Sequence, residues 1–579
     1  MNDRRNVETG LPIPKENYCD QPYVVKTRDG AWLCVLTTGP GLESRDGQHV
    51  VATISSDHGK SWTPLIDIEP ASEHISSWVT PLIVPGGRVY AFYCYDADLE
   101  SRPHGGWMAY RYSDDNGRTW SERHCVPMRN TRRDRENASG GRRQFFWCID
   151  KPVVSGGKVY FGIPKLTWGR NLSGGESWVI CSDNVLTESD PDKIHWALLP
   201  EGDEGVHNPD LGPVQEEQNM QVLSDGSLYM AMRTTLGHPA YSISRDGGKT
   251  WTKPEIMRYA DGRRIKTPRA CPRVWKTSNG KFLFWFHNNS AGGFGSSVVR
   301  NPVWVSGGIE VDGEIQWSQP EVLLYSLDQT LLGMSYPDLI EEDGRYWVTE
   351  TQKMFAWTHE IDPALLEAVW TQHENRSRAT GGVVYESDGA LKAGDSFEMP
   401  VLPELDEGGF TIELWVRLEQ FKNQRGFVLL DGFGQRNSGV KLTAELFGGL
   451  KWELHDGQQN RRWHEIEGIP GPRSVAGMRG IWTLCSETDL IRTNRLQHLV
   501  LIVDGASKVV SQLVDGRLCD GAHQDIKGWG RLHPYLRHVN GERIYRVGKE
   551  LDGRIEKLRV YSRPLLTSEA VGNFRAGAE

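Results

Sequence analysis

The sequence predicts an all-β chain, with a six-bladed β-propeller over residues 1–375 and a second antiparallel β domain over 376–579. Three observations predict it: a polar turn phrase that occurs three times, an apolar hairpin phrase that occurs six times, and a change of texture in the last third of the chain. The composition agrees. At 579 residues the chain can fill two or three cores, and its 63 glycines and 22 tryptophans suit a turn-dense β protein with aromatic surfaces on which sugars can stack.

The turn phrase reads SSDHGKSW at 55–62, SDDNGRTW at 113–120 and SRDGGKTW at 244–251, and fits S-x-D-x-G-x-[S/T]-W. It is too polar for a core strand and too rich in turn formers for a helix. Each copy follows a short alternating strand (HVVATI, GWMAYRY, AYSI), so the Asp and Ser/Thr side chains are expected to bond the turn's own backbone, Gly to take a positive φ, and Trp to tuck beneath. The phrase is therefore expected to staple the fold and to do no chemistry. The hairpin phrase is an apolar strand, a D-G or G-G turn and a strand of aromatics. It occurs as PYVVKTRDGAWLCVLTTG, TPLIVPGGRVYAFYCY, KPVVSGGKVYFGIPKL, MQVLSDGSLYMAMRTT, PRVWKTSNGKFLFWFHN and PDLIEEDGRYWVTETQ. Six such units, most followed by a further strand pair, cannot bury both faces alone and are expected to stack blade on blade around an axis. Worn copies of the turn phrase are expected at 182–196 and 311–317. The helix-like IDPALLEAVW at 361–370 then ends the repeat, and the segments at 408–421, 495–518 and 550–570 read as antiparallel strands with hairpin turns.

Charge and motif content exclude several functions. The net charge of −10 is spread without a basic stripe, so no nucleic-acid partner is expected. There is no run of 18 apolar residues and the start MNDRRNVETGLPIP lacks a signal-peptide core, so no membrane partner is expected. The location expected is cytoplasmic, or exported with a leader already removed. The nine cysteines stand singly at 19, 34, 94, 125, 148, 181, 271, 485 and 519, as small buried hydrophobes of a reducing compartment do. With no HExxH, CxxC pair, P-loop, GxSxG, EF-hand loop or dinucleotide fingerprint, neither a cofactor nor a metal is expected.

On these motifs, residues 1–370 resemble the sialidase superfamily in blade count and motif order. The phrases FTIELWVRL and DGRIEKLRVYSRPLLTSEA within 380–579 resemble laminin-G-like, concanavalin-type jelly rolls, so the second domain is expected to be a β-sandwich. The resemblance implies a set of site residues. In EEQNMQVLSDGSLYMAMR it places Glu217 on the catalytic glutamate and Arg233 on the second member of an arginine triad. In SYPDLIEEDGRYWVTE it places Tyr336 on the nucleophile, and in VVRNPVW it offers Arg300 as the third arginine. In ESRDGQHVVATI it places Asp46 on the acid/base aspartate. The chemistry is coherent, because a phenol is a weak nucleophile unless a carboxylate within hydrogen-bond reach takes its proton. A neutral tyrosine also attacks an anionic sugar without charge repulsion, and the implied activity is an exo-acting, retaining glycoside hydrolase.

Blade one departs from the pattern. Where the family has an arginine two residues before a proline, YCDQPYVV has Asp20 followed by Gln21, which would repel a substrate carboxylate and lose bidentate contact with it. Replacement cations are expected from Arg142, Arg143 and Lys151 in GRRQFFWCIDKP and from Arg269 and Arg273 in TPRACPR. Alternatively Asp20, Gln21, Gln48 and His49 bind a hydroxyl-rich ring. The substrate expected is an anionic glycan, not restricted to sialic acid. Two other functions fit the same residues: a non-catalytic glycan-binding protein, and a propeller polysaccharide lyase acting on a uronate with Tyr336 or His49 as base.

Overall fold

The computed structural model describes residues 3–96, 106–167, 173–291, 300–328, 333–421, 426–434, 438–457, 481–532 and 536–579. By its internal contacts the chain divides into two compact units. The first comprises Arg4–Trp317 with Val322–Leu366, and the second Glu367–Glu579 with Ser318–Glu321.

The first unit is six antiparallel sheets in chain order, one per hairpin phrase. Blade one runs Tyr18–Lys26, Trp32–Gly39, His49–Ser55 and Ile66–Glu69 from the axis outwards, and blade four Gln215–Val222, Leu228–Thr234, Ala240–Ser244 and Glu255–Ile256. Blade six starts with Ser335–Glu342, Arg345–Thr351 and Ala356–Ile361, and takes its outer strand from the other end of the chain: Leu11 pairs with Thr358 and Pro12 with Trp357. This seam closes the ring. Blade five has a fifth strand, Glu321–Leu324, pairing with Val303–Val311. Apolar side chains of neighbouring blades form shared cores. Val35 and Ala52 of blade one pack with Ala91 and Tyr93 of blade two, and Phe92 of blade two with Phe161 and Ile180 of blade three. Each sheet thus buries its faces between its neighbours.

The three turn phrases fold identically, each between a third and a fourth strand. In the first, Ser55 Oγ donates to Asp57 Oδ1 at 2.8 Å and accepts from Gly59 N at 2.9 Å, while the Asp57 carboxylate accepts from Ser61 N at 2.9 Å and Ser61 Oγ at 2.6 Å. Ser113 with Asp115 and Ser244 with Asp246 repeat these bonds within 0.1 Å. Two consecutive left-handed residues make the bend, His58–Gly59, Asn116–Gly117 and Gly247–Gly248, which is why the second of each pair is glycine. The copy at 182–196 keeps the Ser182 and Asn184 side-chain bonds, and the one at 311–317 is reduced to a two-strand turn.

The second unit is a sandwich. One sheet is built around Gly553–Tyr561, Gly409–Leu418, Leu496–Asp504 and Val509–Val514, the other around Ile544–Val547, Phe427–Asp431, Ser438–Ala444 and Leu450–Asp456. A single core runs between them, with Ile412, Leu414, Leu442, Trp452, Leu501 and Leu558 all buried. Glu413, on the other face of its strand, is a buried hub. Its carboxylate accepts from Trp415 Nε1, Tyr561 Oη and Asn573 Nδ2 and pairs with His498 and Arg559, all within 3.2 Å. Burial works to raise this carboxyl, but the donors outweigh it and hold it at about 2. Among the described residues, no helix is long and apolar enough to cross a membrane, no metal-ligating cluster is found, and the eight cysteines with described side chains are unpaired.

Candidate active site

Four of the six inner strands carry the same irregularity near their start. The ladder slips between Asp20 and Tyr23, Ser77 and Thr80, Glu216 and Asn219, and Ser335 and Asp338. At each slip one non-glycine residue sits at positive φ: Gln21 at 53°, Trp78 at 57°, Glu217 at 45° and Tyr336 at 46°. A bulge of this kind re-aims a side chain out of the strand's alternation, and each left-handed residue costs about 1–3 kcal/mol of backbone strain. In blades four and six it brings the side chains together, with Tyr336 Oη donating to Glu217 Oε1 at 2.8 Å, both residues buried. Burial, followed by the Glu217 carboxylate, pushes the phenol of Tyr336 above its ordinary value.

Around this pair the charges are matched. Arg233 Nη1 lies 2.5 Å from Glu217 Oε2 and its Nη2 2.9 Å from Glu216 Oε1, which also meets Arg269 Nη2 at 2.6 Å. Burial first, and then Arg233, lowers the Arg269 guanidinium. Arg300 donates to Ser335 Oγ at 2.7 Å and to the Arg269 carbonyl at 2.8 Å, beside the nucleophile candidate. Trp78 and Trp147 meet edge to face with centroids 6.0 Å apart, and the Arg233 guanidinium lies 5.9 Å from the Trp147 ring. They form an aromatic wall.

Asp20 is wholly buried. It accepts from Tyr18 Oη at 2.9 Å and the Gln21 amide at 3.0 Å, and pairs with Lys353 Nζ at 2.5 Å. Lys353 follows the second strand of blade six, takes φ of 68°, donates its amide to Thr351 Oγ1 at 2.9 Å and accepts from Cys19 N through its carbonyl at 2.8 Å. Its ammonium also meets Glu43 at 3.2 Å and lies 4.7 Å from the centre of the Tyr336 ring. Burial pushes the Asp20 carboxyl up to about 6 against the pull of Lys353. Burial opposes the charge on Lys353 too, but Asp20 and Glu43 outweigh it and the lysine is raised.

Thus Tyr336, Glu217, Arg233, Arg269, Arg300 and Asp20 gather at one place, and Gln21 occupies the matching bulge of blade one. The other residues singled out from sequence stand elsewhere. Asp46 is exposed on the turn leading to the third strand of blade one. Gln48 accepts from Ser44 N at 2.6 Å and donates to Ser77 Oγ, so it braces that loop against blade two. His49 faces outwards, with Nδ1 2.8 Å from the Gly47 carbonyl and Nε2 3.6 Å from Asp67 on the outer strand. Lys151 pairs with Asp338 at 2.7 Å and donates to the Val24 carbonyl at 2.6 Å. It borders a small cavity of about 70 Å3 with Asn219, Gln221, Arg273 and Trp275, further along the inner strands than Tyr336. Arg273 lies 4.5 Å over Tyr23 and 3.7 Å from Asp150. Arg142 donates to the Ser139 carbonyl, and Arg143 lies half-buried in the same loop, its amide bonded to Ser139 Oγ. Lys353, Glu216, Glu43, Trp78 and Trp147 were not legible as site residues: a lysine after a strand reads as solvated, and bulges carry no sequence signature.

Residues 66–348 match the family model described as a BNR repeat-like domain, and residues 391–571 match one described as the concanavalin A-like lectin/glucanases superfamily. No curated protein is similar enough to count as a relative. Similar solved structures include a Trypanosoma rangeli sialidase in complex with 2,3-difluorosialic acid (13% identity, 98% of this chain and 96% of that chain covered, TM-score 0.43). An intramolecular trans-sialidase from Ruminococcus gnavus in complex with oseltamivir carboxylate is another (14% identity, 63% and 99% covered, TM-score 0.45). A leech intramolecular trans-sialidase matches at 13% identity, with 60% and 68% covered and a TM-score of 0.43.

Proposed function

For a chain that carries a BNR repeat-like domain and a concanavalin A-like domain, we propose a retaining glycoside hydrolase with Tyr336 as nucleophile and Glu217 as its base. The observation that carries this reading is the 2.8 Å hydrogen bond between the two side chains, each delivered by a strained bulge from a different blade. Strain at two residues that meet one another is best explained by work done where they meet.

Tyr336 Oη bonds to the anomeric carbon as its proton passes to Glu217, and the bond from that carbon to the leaving oxygen breaks. The leaving oxygen takes a proton from a carboxyl of the 40–47 loop. Asp46 is the donor expected from sequence, and Glu43, whose carboxylate reaches Lys353, is the alternative on the same loop. Water then attacks the anomeric carbon, gives its proton to that loop carboxylate, and the bond to Tyr336 breaks as Glu217 returns the phenolic proton. Arg233 holds Glu217 in place, and Arg269 and Arg300 supply positive charge for an anionic group of the sugar. A phenol also suits a site already crowded by Asp20, Glu216 and Glu217, where a further carboxylate would resist ionising.

The test is a panel of aryl glycosides, acidic and neutral, with purified wild type, Tyr336→Phe and Glu217→Gln. Turnover by the wild type that releases a reducing sugar without an ultraviolet-absorbing unsaturated product, lost by more than 1000-fold on the order expected for a missing nucleophile in both variants, supports the reading. Most of the turnover surviving in Tyr336→Phe would overturn it. Glu43→Gln and Asp46→Asn separate the two loop carboxylates: the true donor is needed most for poor leaving groups.

A further inference from the structure

We propose that Lys353, held by the buried carboxylate of Asp20, is a positioning residue that keeps a cation on the face of the Tyr336 ring and so governs the acidity of its phenol. The consequence for turnover rests on the reading of Tyr336 as nucleophile; the electrostatic arrangement itself does not.

The argument is geometric. The Lys353 ammonium lies 4.7 Å from the ring centre of Tyr336 and 5.8 Å from that of Tyr18. A four-carbon stem is free to take its charge into water, and this one does not, because both ends are fixed. Its backbone is tied to blade one through Cys19 N and to Thr351 Oγ1, and its head is bonded to Asp20 and Glu43. Asp20 is anchored in turn by Tyr18 Oη and the Gln21 amide. The side chain of Lys353 retains 19% exposure while that of Asp20 has none, so the carboxylate forms the floor and the ammonium lies above it against the ring.

The charges facing Tyr336 come from every neighbouring element. Glu217 and Arg233 come from blade four, Asp20 from blade one, Lys353 from blade six, Glu43 from the loop of blade one, and Arg269 from the approach to blade five. Glu217 and Asp20 oppose loss of the phenolic proton, whereas Lys353 and Arg233 favour it. Arg233 is committed to Glu216 and Glu217 at 2.9 Å and 2.5 Å. Arg269 also acts on the phenol, but Lys353 is the cation that lies over the ring from outside the Tyr–Glu pair, and it favours the electron-rich phenol oxygen as the proton moves to Glu217.

The experiment needs no substrate. With 3,5-difluorotyrosine installed at position 336 by codon suppression, the phenol becomes acidic enough to titrate in the accessible range and is followed by ultraviolet absorption and fluorine NMR in the full chain. Lys353→Met is expected to move the titration up by about one pH unit or more, from a unit charge at this distance in a partly screened site. Lys353→Arg is expected to stay within about 0.3 unit of the parent, and Asp20→Asn to move the titration down, since an anion goes while Glu43 and the fixed backbone of Lys353 still keep the ammonium near the ring. If Lys353→Met fails to fold, the Asp20→Asn/Lys353→Met double variant is compared with Asp20→Asn, with the same upward shift expected. A titration unmoved or lowered by loss of Lys353 would overturn the proposal. Loss of turnover in Tyr336→Phe is measured separately, so the failure of either reading is distinguishable from that of the other.

Discussion

Replacing Lys353 by methionine puts a number on the ion pair at the edge of the site. The substitution keeps the stem and removes the ammonium, leaving the Asp20 carboxylate with Tyr18 Oη and the Gln21 amide as its remaining donors among the contacts described above. Removing one partner of a buried pair costs on the order of 3–5 kcal/mol. Lys353 is partly exposed, at 19%, and divides its charge between Asp20 and Glu43, so a loss at the lower end, about 3 kcal/mol, is expected. At about 2.1 cal/mol/K per residue, a unit of this size shifts its melting temperature by roughly 1–2 °C per kcal/mol, which gives a fall of about 4 °C in the transition of that unit. Asp20→Asn should cost less, because an amide can still accept from Tyr18 and Gln21. The double variant should cost less than the sum of the two by about 2 kcal/mol, the coupling of a direct pair. The effect depends on pH in one direction. Burial already lifts Asp20 to about 6, and without its cation the carboxyl goes higher. The folded protein therefore holds a proton that the unfolded chain has lost, and the penalty of Lys353→Met is small near pH 5 and grows as pH rises through 6 and beyond. Calorimetry and urea unfolding of the full chain at pH 5 and pH 8 measure both quantities. Additive single and double variants at pH 8, or a penalty that shrinks with rising pH, would refute the reasoning.

Two further outcomes are expected. Asp115→Ala and Asp246→Ala should each lower stability by about 1 kcal/mol through lost turn hydrogen bonds while leaving the Tyr336 site intact; a loss of sugar turnover at unchanged melting temperature would show that the turn phrases touch chemistry. Glu413, held at about 2 from an ordinary 4.5, gives the sandwich on the order of 3 kcal/mol above pH 4.5 that is lost as pH falls towards 2. Glu413→Gln should remove most of this at pH 7 and flatten the acid limb of the unfolding curve, and an unchanged acid limb would contradict the assignment.

The sequence reading reached the blades further than the pocket, for a physical reason. Hairpins declare themselves through alternation and glycine turns, and the turn phrases through side chains that bond their own backbone; both are local. The outer strand of blade six, Leu11–Pro12, is two residues long and lies 344 residues from Ala356 in number, so no local pattern marks it. Glu217, Tyr336 and Arg233 were legible because they sit in hairpin phrases whose register could be counted. Gln48 and His49 were misdirected because their neighbourhood in the chain says nothing about which way a side chain turns. Lys353 was missed because its meaning comes from Asp20, 333 residues away.

The seam in blade six has a consequence for how the pocket comes into being. Blades one to five are built from strands adjacent in the chain, so the strands of each can pair locally and then bury their faces as the next blade arrives. Blade six cannot be completed in this way: it carries both Tyr336 and Lys353, and its outer strand, Leu11–Pro12, precedes blade one in the chain and must wait for Ala356–Ile361 to arrive. Until then Asp20 has no ammonium to meet, and Glu217, though paired with Arg233, has no phenol to accept from. A chain cut before Ser335 would therefore lack both the phenol and the ammonium of the site, whereas one that loses only the Leu11–Pro12 pairing would keep both on an unclosed ring.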